Sequence, residues 1–335
     1  MGLLTYDDLT EVLDDVKLDG RKRNAICDCP YCGKTQKFGI SLVKEGNPWN
    51  CFVCQESGRN FKLMSYLGRL DLITDFFDYE SDEVENSLLD IEEEEDIDVE
   101  LEEISLPPRT KKVATNKYLE KRGWWDESFF DFPVYKSKEF KYEDYVLLGV
   151  EMYGSLVGFV GRHIWDKKKI SQYNSKAKTQ GTYQILRYRN SEGNEFGKML
   201  YGFDTIVEGE TDTVIIVEGC MDVINLVQEL ELFESNEVRA VATFGKSISE
   251  EQIFHLQEKG IKNVVVFYDD DAVDDIKKLD LDKYFKVIVA STNDADGVGE
   301  NDDVGDLTGE QIEQCLGMAR KPSEFYYDKV TVFSV

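Results

Sequence analysis

Val214-Ile215-Ile216-Val217-Glu218-Gly219-Cys220-Met221-Asp222 decides the fold of the larger part of this chain. Four consecutive β-branched residues suit a strand buried on both faces. A carboxylate stands where the run ends, Gly219 permits a tight turn, and Asp222 follows one helical turn later. The pattern then alternates. Helical spacing covers Met221–Leu230, Glu250–Lys259 and Asp274–Leu279, while apolar runs cover Ala240–Thr243, Val264–Tyr268 and Lys286–Ala290. Alternation of this kind predicts α/β architecture around a parallel sheet. Sites in such sheets form beyond the carboxyl ends of the strands. The run Val264–Tyr268 leads into Asp269-Asp270-Asp271, and a period of two puts Asp269 and Asp271 on one side. Farther on, Asp303-Val304-Gly305-Asp306 enters a helical stretch, Glu310–Met318. Asp294 and Asp296 are the alternative third acidic source; Leu307 and the helix that follows at once favour Asp303 and Asp306. Carboxylates gathered at one sheet edge repel unless cations sit among them, and oxygen ligands suit Mg²⁺. One or two such ions activate a hydroxyl and hold a pyrophosphate leaving group. The plainer alternative is a solvated acidic loop after each strand.

Outward from this core, Tyr145–Val150 and Leu156–Gly161 read as paired strands around the turn Tyr153-Gly154, and Thr115–Gly123 as a short helix stopped by glycine. Tyr6–Val16 and Phe61–Leu72 carry apolar residues at helical spacing. Between these last two lie Cys29-Pro-Tyr-Cys32 and Cys51-Phe-Val-Cys54. Two Cys-x-x-Cys turns bring four thiolates around one tetrahedral Zn²⁺. Cys27 is the alternative to Cys29; Cys220 and Cys315 stand alone and read as small buried residues. Tyr31, Phe38, Trp49 and Phe52 are interleaved with Arg21, Lys22, Arg23, Lys34, Lys37, Lys44 and Arg59. These aromatics either stack on unpaired bases while the cations meet the backbone, or form the small core of the cysteine-bearing segment.

The formal charge of −28 over 335 residues is unevenly placed. Residues 70–108 hold 17 acidic and no basic side chains, with four glutamates at 92–95, and read as an extended tether or, alternatively, a mimic of nucleic acid in a basic groove. Residues 109–204 hold 18 basic and 12 acidic ones, so this part is free to face phosphates. Seven cysteines, four in paired spacing, fit a reducing compartment and a metal. No apolar stretch reaches the length of about 20 residues that a membrane span needs, and the first residues lack a secretory pattern. The expectation is a soluble intracellular protein, with no membrane partner.

With these residues in view, the chain resembles the DnaG-type DNA primases, particularly the stand-alone primases of large bacteriophages. The four-cysteine segment resembles the zinc-binding domain of that family. Residues 114–123 with Phe129-Phe130-Asp131-Phe132, the stretch Leu156–Arg162, Tyr173-Asn174-Ser175, and Gly197–Phe203 are similar to its polymerase core. Residues 214–222, Thr243–Ser247 and Phe267–Asp271 resemble the Toprim motifs. The order and spacing of these segments cover most of the chain.

The resemblance implies an α/β Toprim catalytic core with a mixed α+β N-terminal subdomain and a small β zinc ribbon. The division expected is 1–70 zinc ribbon, 71–110 acidic linker, 111–204 basic part of the core, 205–310 Toprim part, and 311–335 C-terminal helix and tail. The implied activity is synthesis of short RNA primers from ribonucleoside triphosphates on a single-stranded DNA template. Glu218, Asp269 and Asp271 would hold catalytic Mg²⁺ or Mn²⁺, supported by Asp222, Asp303 and Asp306. Arg162, Tyr173, Asn174, Lys198 and Lys246 would contact nucleic acid or triphosphate, and Cys29, Cys32, Cys51 and Cys54 a structural Zn²⁺. A replicative helicase is the implied partner, because no Gly-x4-Gly-Lys-Ser/Thr phosphate loop occurs. The rival readings are a nucleic-acid-binding module without synthesis and a Toprim nuclease or topoisomerase.

Overall fold

A computed structural model describes residues 3–20, 22–44, 46–70, 72–73, 101–114, 116–123, 132–268, 281–299 and 302–325. Three sheets organise them. The cysteine-bearing sheet comprises β1 Lys17–Leu18, β2 Asn24–Cys27, β3 Phe38–Ser41, β4 Trp49–Cys51 and β5 Ser57–Gly58, antiparallel and in chain order. Two helices flank it, α1 Tyr6–Val12 and α2 Asn60–Tyr66. Its inner face pairs Ala25, Ile40 and Trp49 across the strands, and all three are buried. Both helices are shorter than the apolar spacing predicts. Leu13 takes an extended cap after α1, and Gly68, at φ 64°, turns the chain after α2.

The second sheet is antiparallel, in the order β10-β9-β8-β7-β6. Its strands are β6 Thr110–Lys112, β7 Val134–Ser137, β8 Tyr145–Met152, β9 Ser155–His163 and β10 Tyr188–Asn190. The hairpin of β8 and β9 turns at Tyr153-Gly154, as its sequence predicts. Both turn residues have positive φ, 54° and 76°, the mirror-image turn whose twist matches the strands. A short helix, α3 Lys117–Glu120, precedes this sheet's centre, capped by Asn116. The helix α4, Lys167–Gln180, was not expected from the sequence. Ile170 and Ala177 are its only buried residues, so the apolar periodicity that marks a helix is nearly absent. Its ends are nevertheless signalled, by Asp166 accepting from Lys169 and by Gly181 at φ 63°. Residues 101–106, read from sequence as the end of the acidic segment, pack on this sheet. Ile104 donates its N–H to the Leu156 carbonyl at 2.8 Å, and Ile104 and Leu106 lie against a cluster of Tyr142, Leu147 and Phe159.

The third sheet is parallel throughout, as the alternating pattern predicts, in the order β12-β11-β13-β14. It is built of β11 Thr213–Val217, β12 Val238–Ala242, β13 Asn263–Val266 and β14 Lys286–Val289. Every residue of β11 and β12 is buried; β11 therefore reads as a continuous apolar run from Val214, whereas β12 carries Arg239, which donates to the Thr205 and Leu232 carbonyls. The helices α5 Cys220–Glu229, α6 Glu250–Glu258 and α7 Gly309–Gly317 complete this layer. The helix expected at 274–279 and most of the acidic segment, 78–100, lie outside the described residues. Tyr201 exchanges both backbone hydrogen bonds with Ala242, at 3.1 and 3.0 Å, and so ties the basic part to β12.

The cysteine-bearing sheet packs against the far end of the parallel layer. The Arg59 N–H donates to a Glu313 carboxylate oxygen on α7 at 2.9 Å, and the Lys62 ammonium stands 3.2 Å from Glu231, just past α5. Glu313 is only 3 % exposed there. Among the described residues, no helix is long and apolar enough to cross a membrane.

Candidate functional site

The strand β11 delivers Glu218 and Gly219 at its carboxyl end, and α5 begins at once. The Gly219 N–H donates to an Asp222 carboxylate oxygen at 2.9 Å, closing the first turn and fixing the Asp222 side chain. The segment 303–307 runs along α5. Asn225 holds it there by donating to the Val304 and Leu307 carbonyls at 2.9 and 2.8 Å. This brings Gly305 against Asp222: a Cβ on Gly305 would lie 2.8 Å from Asp222 Oδ1 and 3.1 Å from Asp303 Oδ1. Asp222 and Asp303 are therefore neighbours, although 81 residues separate them in sequence.

Glu218, Asp222 and Asp303 line a cavity of about 300 Å³. Across it stand Arg122, Arg162, Arg187 and Tyr188 from the antiparallel part, and Phe244 and Gly245 from the loop after β12. Arg162 is 4 % exposed. Burial pushes its guanidinium pKa down; Tyr118 and Tyr188 counter this, while the positive Arg187 and Arg122 add to it. Arg122 also stands 3.8 Å from Asp306. The arrangement sets carboxylates against guanidiniums across one small space. Oxygen donors of this kind hold a hard cation, and guanidiniums hold phosphate.

The remaining sequence-predicted residues are placed as follows. Asp269 and Asp271 lie outside the described residues. The strand that leads to them, β13, is hydrogen-bonded to β11 with Val266 opposite Ile216, so Tyr268 arrives at the same edge as Glu218. The two are electrostatically coupled. Burial raises the Tyr268 pKa, the Thr243 hydroxyl works against it, and Glu218 raises it further. Asp294 forms a two-oxygen pair with Arg320 at 2.9 Å, away from the cavity lining. Tyr173 and Asn174 lie on α4, outside that lining. Tyr173 packs edge-on against Trp165, and the Asn174 amide exchanges two hydrogen bonds of 2.8 Å with the backbone of Ile185. Asn174 thus holds the segment that presents Arg187. Lys198 pairs with Glu195 on the turn Phe196–Lys198, whose Phe196 meets Phe244. Lys246 follows the lining residue Gly245 and is half-buried.

Sequence reasoning missed Arg122, Arg187 and Tyr188 as lining residues. The available signal was Arg187-Tyr188-Arg189, an aromatic between two arginines inside the basic segment.

The second candidate centre is the cysteine cluster. The Sγ atoms of Cys29, Cys32, Cys51 and Cys54 all lie within 4.8 Å of one another. The Cys29–Cys54 and Cys32–Cys51 separations are both 3.8 Å. A tetrahedron of Zn–S bonds of about 2.3 Å has edges of about 3.8 Å, so the set fits zinc. Burial raises the Cys51 thiol, but the N–H groups of Cys54 and Val53 and the Cys54 thiol outweigh it and bring Cys51 down to about 7. A thiolate is the form that binds metal. Cys27 lies outside the set; its Sγ faces the Phe38 carbonyl. Tyr31, Phe38 and Trp49 stack in the interior, Tyr31 also on Tyr66 at 4.2 Å, whereas Phe52 is 70 % exposed.

Comparison with known proteins gives three findings. Residues 215–273 match the family model described as Toprim-like. No curated protein sequence matches the chain. Among solved structures, the crystal structure of the RNA polymerase domain of Mycobacterium tuberculosis primase DnaG aligns at 16 % identity and a TM-score of 0.39. The alignment covers 54 % of this chain and 57 % of that one, so the matched part spans little more than half of that structure's length. The chain carries a Toprim-like segment, which begins at Ile215 inside strand β11 and includes the whole of helix α5.

Proposed function

We propose that the protein is a DNA primase, which joins ribonucleotides on a single-stranded DNA template by phosphoryl transfer. The observation that carries this reading is the cavity in which Glu218, Asp222 and Asp303 face Arg122, Arg162 and Arg187. Transfer of a nucleotidyl group needs positioning and charge neutralisation more than it needs a covalent nucleophile. The described lining includes Cys220 but no serine or histidine, and Cys220 is buried with its pKa pushed well up by that burial and by Asp222. The chain supplies neutralisation from two sides. The guanidiniums hold the non-reacting phosphate oxygens and orient the chain of phosphates. Glu218 and Asp222, with Asp303 and the acidic run that starts at Asp269, offer an all-oxygen set that suits Mg²⁺ or Mn²⁺. When bound, such an ion supplies Lewis acidity toward the attacking hydroxyl and the leaving pyrophosphate.

The cysteine-bearing part supports the same reading. It presents one exposed aromatic, Phe52, whose N–H donates to the carbonyl of the exposed Lys37 at 2.9 Å, and Lys34 is exposed as well, a composition that suits unpaired bases and their backbone. Its zinc is structural in this reading, and a replicative helicase is the expected partner in the cell.

The test uses full-length protein, Mg²⁺, single-stranded DNA of mixed sequence and labelled ribonucleoside triphosphates. Short RNA is the expected product. Glu218→Gln removes one charge at constant shape and is expected to lower the rate by at least about a hundredfold, the scale of losing one electrostatic contact to the transition state. The zinc content and melting temperature of that variant should match the parent. Cleaved template without RNA would establish a nuclease instead, and an undiminished rate in the variant would remove Glu218 from the site.

A further inference from the structure

We infer that Tyr118 and Tyr188 are positioning residues that hold the guanidiniums of Arg122, Arg162 and Arg187 in one row for the phosphates of a nucleoside triphosphate. The inference rests on the synthetic reading above and assigns residues which that reading leaves without a role.

The five side chains alternate. The Arg122 guanidinium lies 5.6 Å from the centre of the Tyr118 ring, and Arg162 lies 5.8 Å from the same ring. Arg162 is also 5.0 Å from the Tyr188 ring, and Arg187 is 5.5 Å from it. All four distances are within the roughly 6 Å over which a cation is drawn to an aromatic face. The order is thus Arg122, Tyr118, Arg162, Tyr188, Arg187. The residues come from separate places in the chain, so the order is a product of the fold. Tyr188 and Arg162 are direct cross-strand partners in the β10–β9 pair. Asn174 pins the backbone at Ile185, two residues before Arg187. The Tyr118 N–H is capped by the Asn116 side chain at 2.9 Å, which sets the start of α3.

Three like charges this close would spread if nothing intervened. Their mutual effect registers at Arg162, whose protonated form Arg187 and Arg122 both disfavour. A phenol ring between each pair gives both neighbours a negative face to rest on. Arg187 Nε is buried and has no hydrogen-bond partner among the described residues. A phosphate in the cavity sets negative charge against all three guanidiniums and offsets their mutual repulsion.

The ligand chemistry is a phosphate chain. Nucleic-acid backbone shares it, but a cavity of about 300 Å³ with carboxylates on the opposite wall suits a compact triphosphate. The row therefore belongs to the incoming nucleotide.

Tyr188→Leu and Tyr118→Leu remove the rings, while Tyr188→Phe and Tyr118→Phe keep them. The full chain is tested with a non-hydrolysable ribonucleoside triphosphate and Mg²⁺, and separately with a labelled single-stranded oligonucleotide. In the Leu variants the triphosphate Kd and the KM of primer synthesis should rise about tenfold, the scale of a desolvated cation–ring contact. Their kcat should stay within about twofold, since the rings touch no reacting atom. The Phe variants should bind as the parent does, and oligonucleotide affinity should not move. The inference is overturned by any of three results: Leu variants that bind triphosphate like the parent, Phe variants that lose as much as Leu, or a loss confined to the oligonucleotide. If a Leu variant melts early, Arg187→Lys replaces it; that change keeps the charge and removes the plane, and an unchanged KM would overturn the proposal. A parent that binds triphosphate but makes no RNA would sink the synthetic reading alone.

Discussion

The two candidate centres are built in opposite ways. The four thiolates come from residues 29–54, within one small sheet, and each pair sits in a single turn of chain. The cavity takes its polar lining from positions between 122 and 303, on two different sheets and the loops beyond them. A local centre carries its geometry in its spacing, because short loops leave few ways to close. A dispersed centre has no geometry until the register of the strands is set. The first is therefore expected to depend on its metal, and the second on the packing of the fold.

Replacing Cys51 by Ala should produce the largest effect. Structural zinc contributes on the order of 10 kcal/mol to the folding of a small four-ligand site. The variant is expected to lose its zinc and the order of residues 17–58, while the parallel sheet still melts cooperatively and still binds triphosphate. Cys27→Ala, outside the cluster, should retain one zinc per chain. Metal analysis and hydrogen exchange resolve both outcomes. If the parallel sheet unfolds together with the cysteine-bearing sheet, the contrast between a local and a dispersed centre fails.

The same contrast explains what was legible in the sequence. The parallel sheet was, because β11 is buried on both faces and leaves the uninterrupted apolar run Val214–Val217. So was the β8–β9 hairpin, because Tyr153-Gly154 admits the turn that matches strand twist. Glu218 and Asp222 could be paired from sequence because one helical turn joins them. Arg122 and Arg187 could not be matched with them. Their meeting depends on β10 pairing with β9, and β10 is three residues long with no apolar pattern. Helix α4 escaped for a related reason; it lies on the surface and buries two side chains, so its lysines carry no periodic signal. The interior stack of Tyr31, Phe38 and Trp49 was open between core and base contact because composition does not distinguish the two faces of a sheet.

The contact between the two regions should respond to pH. Burial raises the Glu313 carboxyl to about 7, against the N–H groups of Arg59 and Lys62 and the charges of Lys62 and Arg59, which lower it. Glu231 and Glu56 stand around the same Lys62, and burial raises Glu231 as well. A carboxyl that is easier to protonate in the packed state than when freed favours packing at low pH. The contribution is complete below the ordinary carboxylate range and is lost as pH rises through about 7. Between pH 8 and pH 6 the packed arrangement should gain on the order of 1–2 kcal/mol. Protease protection of the junction near residue 59, measured across that range, should rise as pH falls. Glu313→Gln should flatten the profile, and a slope that survives in the variant would place the titrating group elsewhere.

The smallest change expected to matter is Gly305→Ala, and it probes the dispersed centre without replacing a charged group. The added Cβ would lie 2.8 Å from Asp222 Oδ1 and 3.1 Å from Asp303 Oδ1, closer than carbon and oxygen settle. One of the carboxylates must move. Asp222 is tied to the Gly219 N–H, and Asn225 holds the segment on the other side, so a few tenths of an ångström is the room available. A shift of that size should raise the Mg²⁺ concentration for half-maximal synthesis by several-fold, about 1 kcal/mol, because Mg²⁺ demands near-ideal oxygen geometry. Mn²⁺, in general less exacting, should recover much of the loss. The melting temperature should change by only a few degrees, since the substitution removes no apolar contact. An unaltered Mg²⁺ requirement would mean that Asp222 and Asp303 do not act together, and the cavity would then be a centre of two carboxylate sources rather than three.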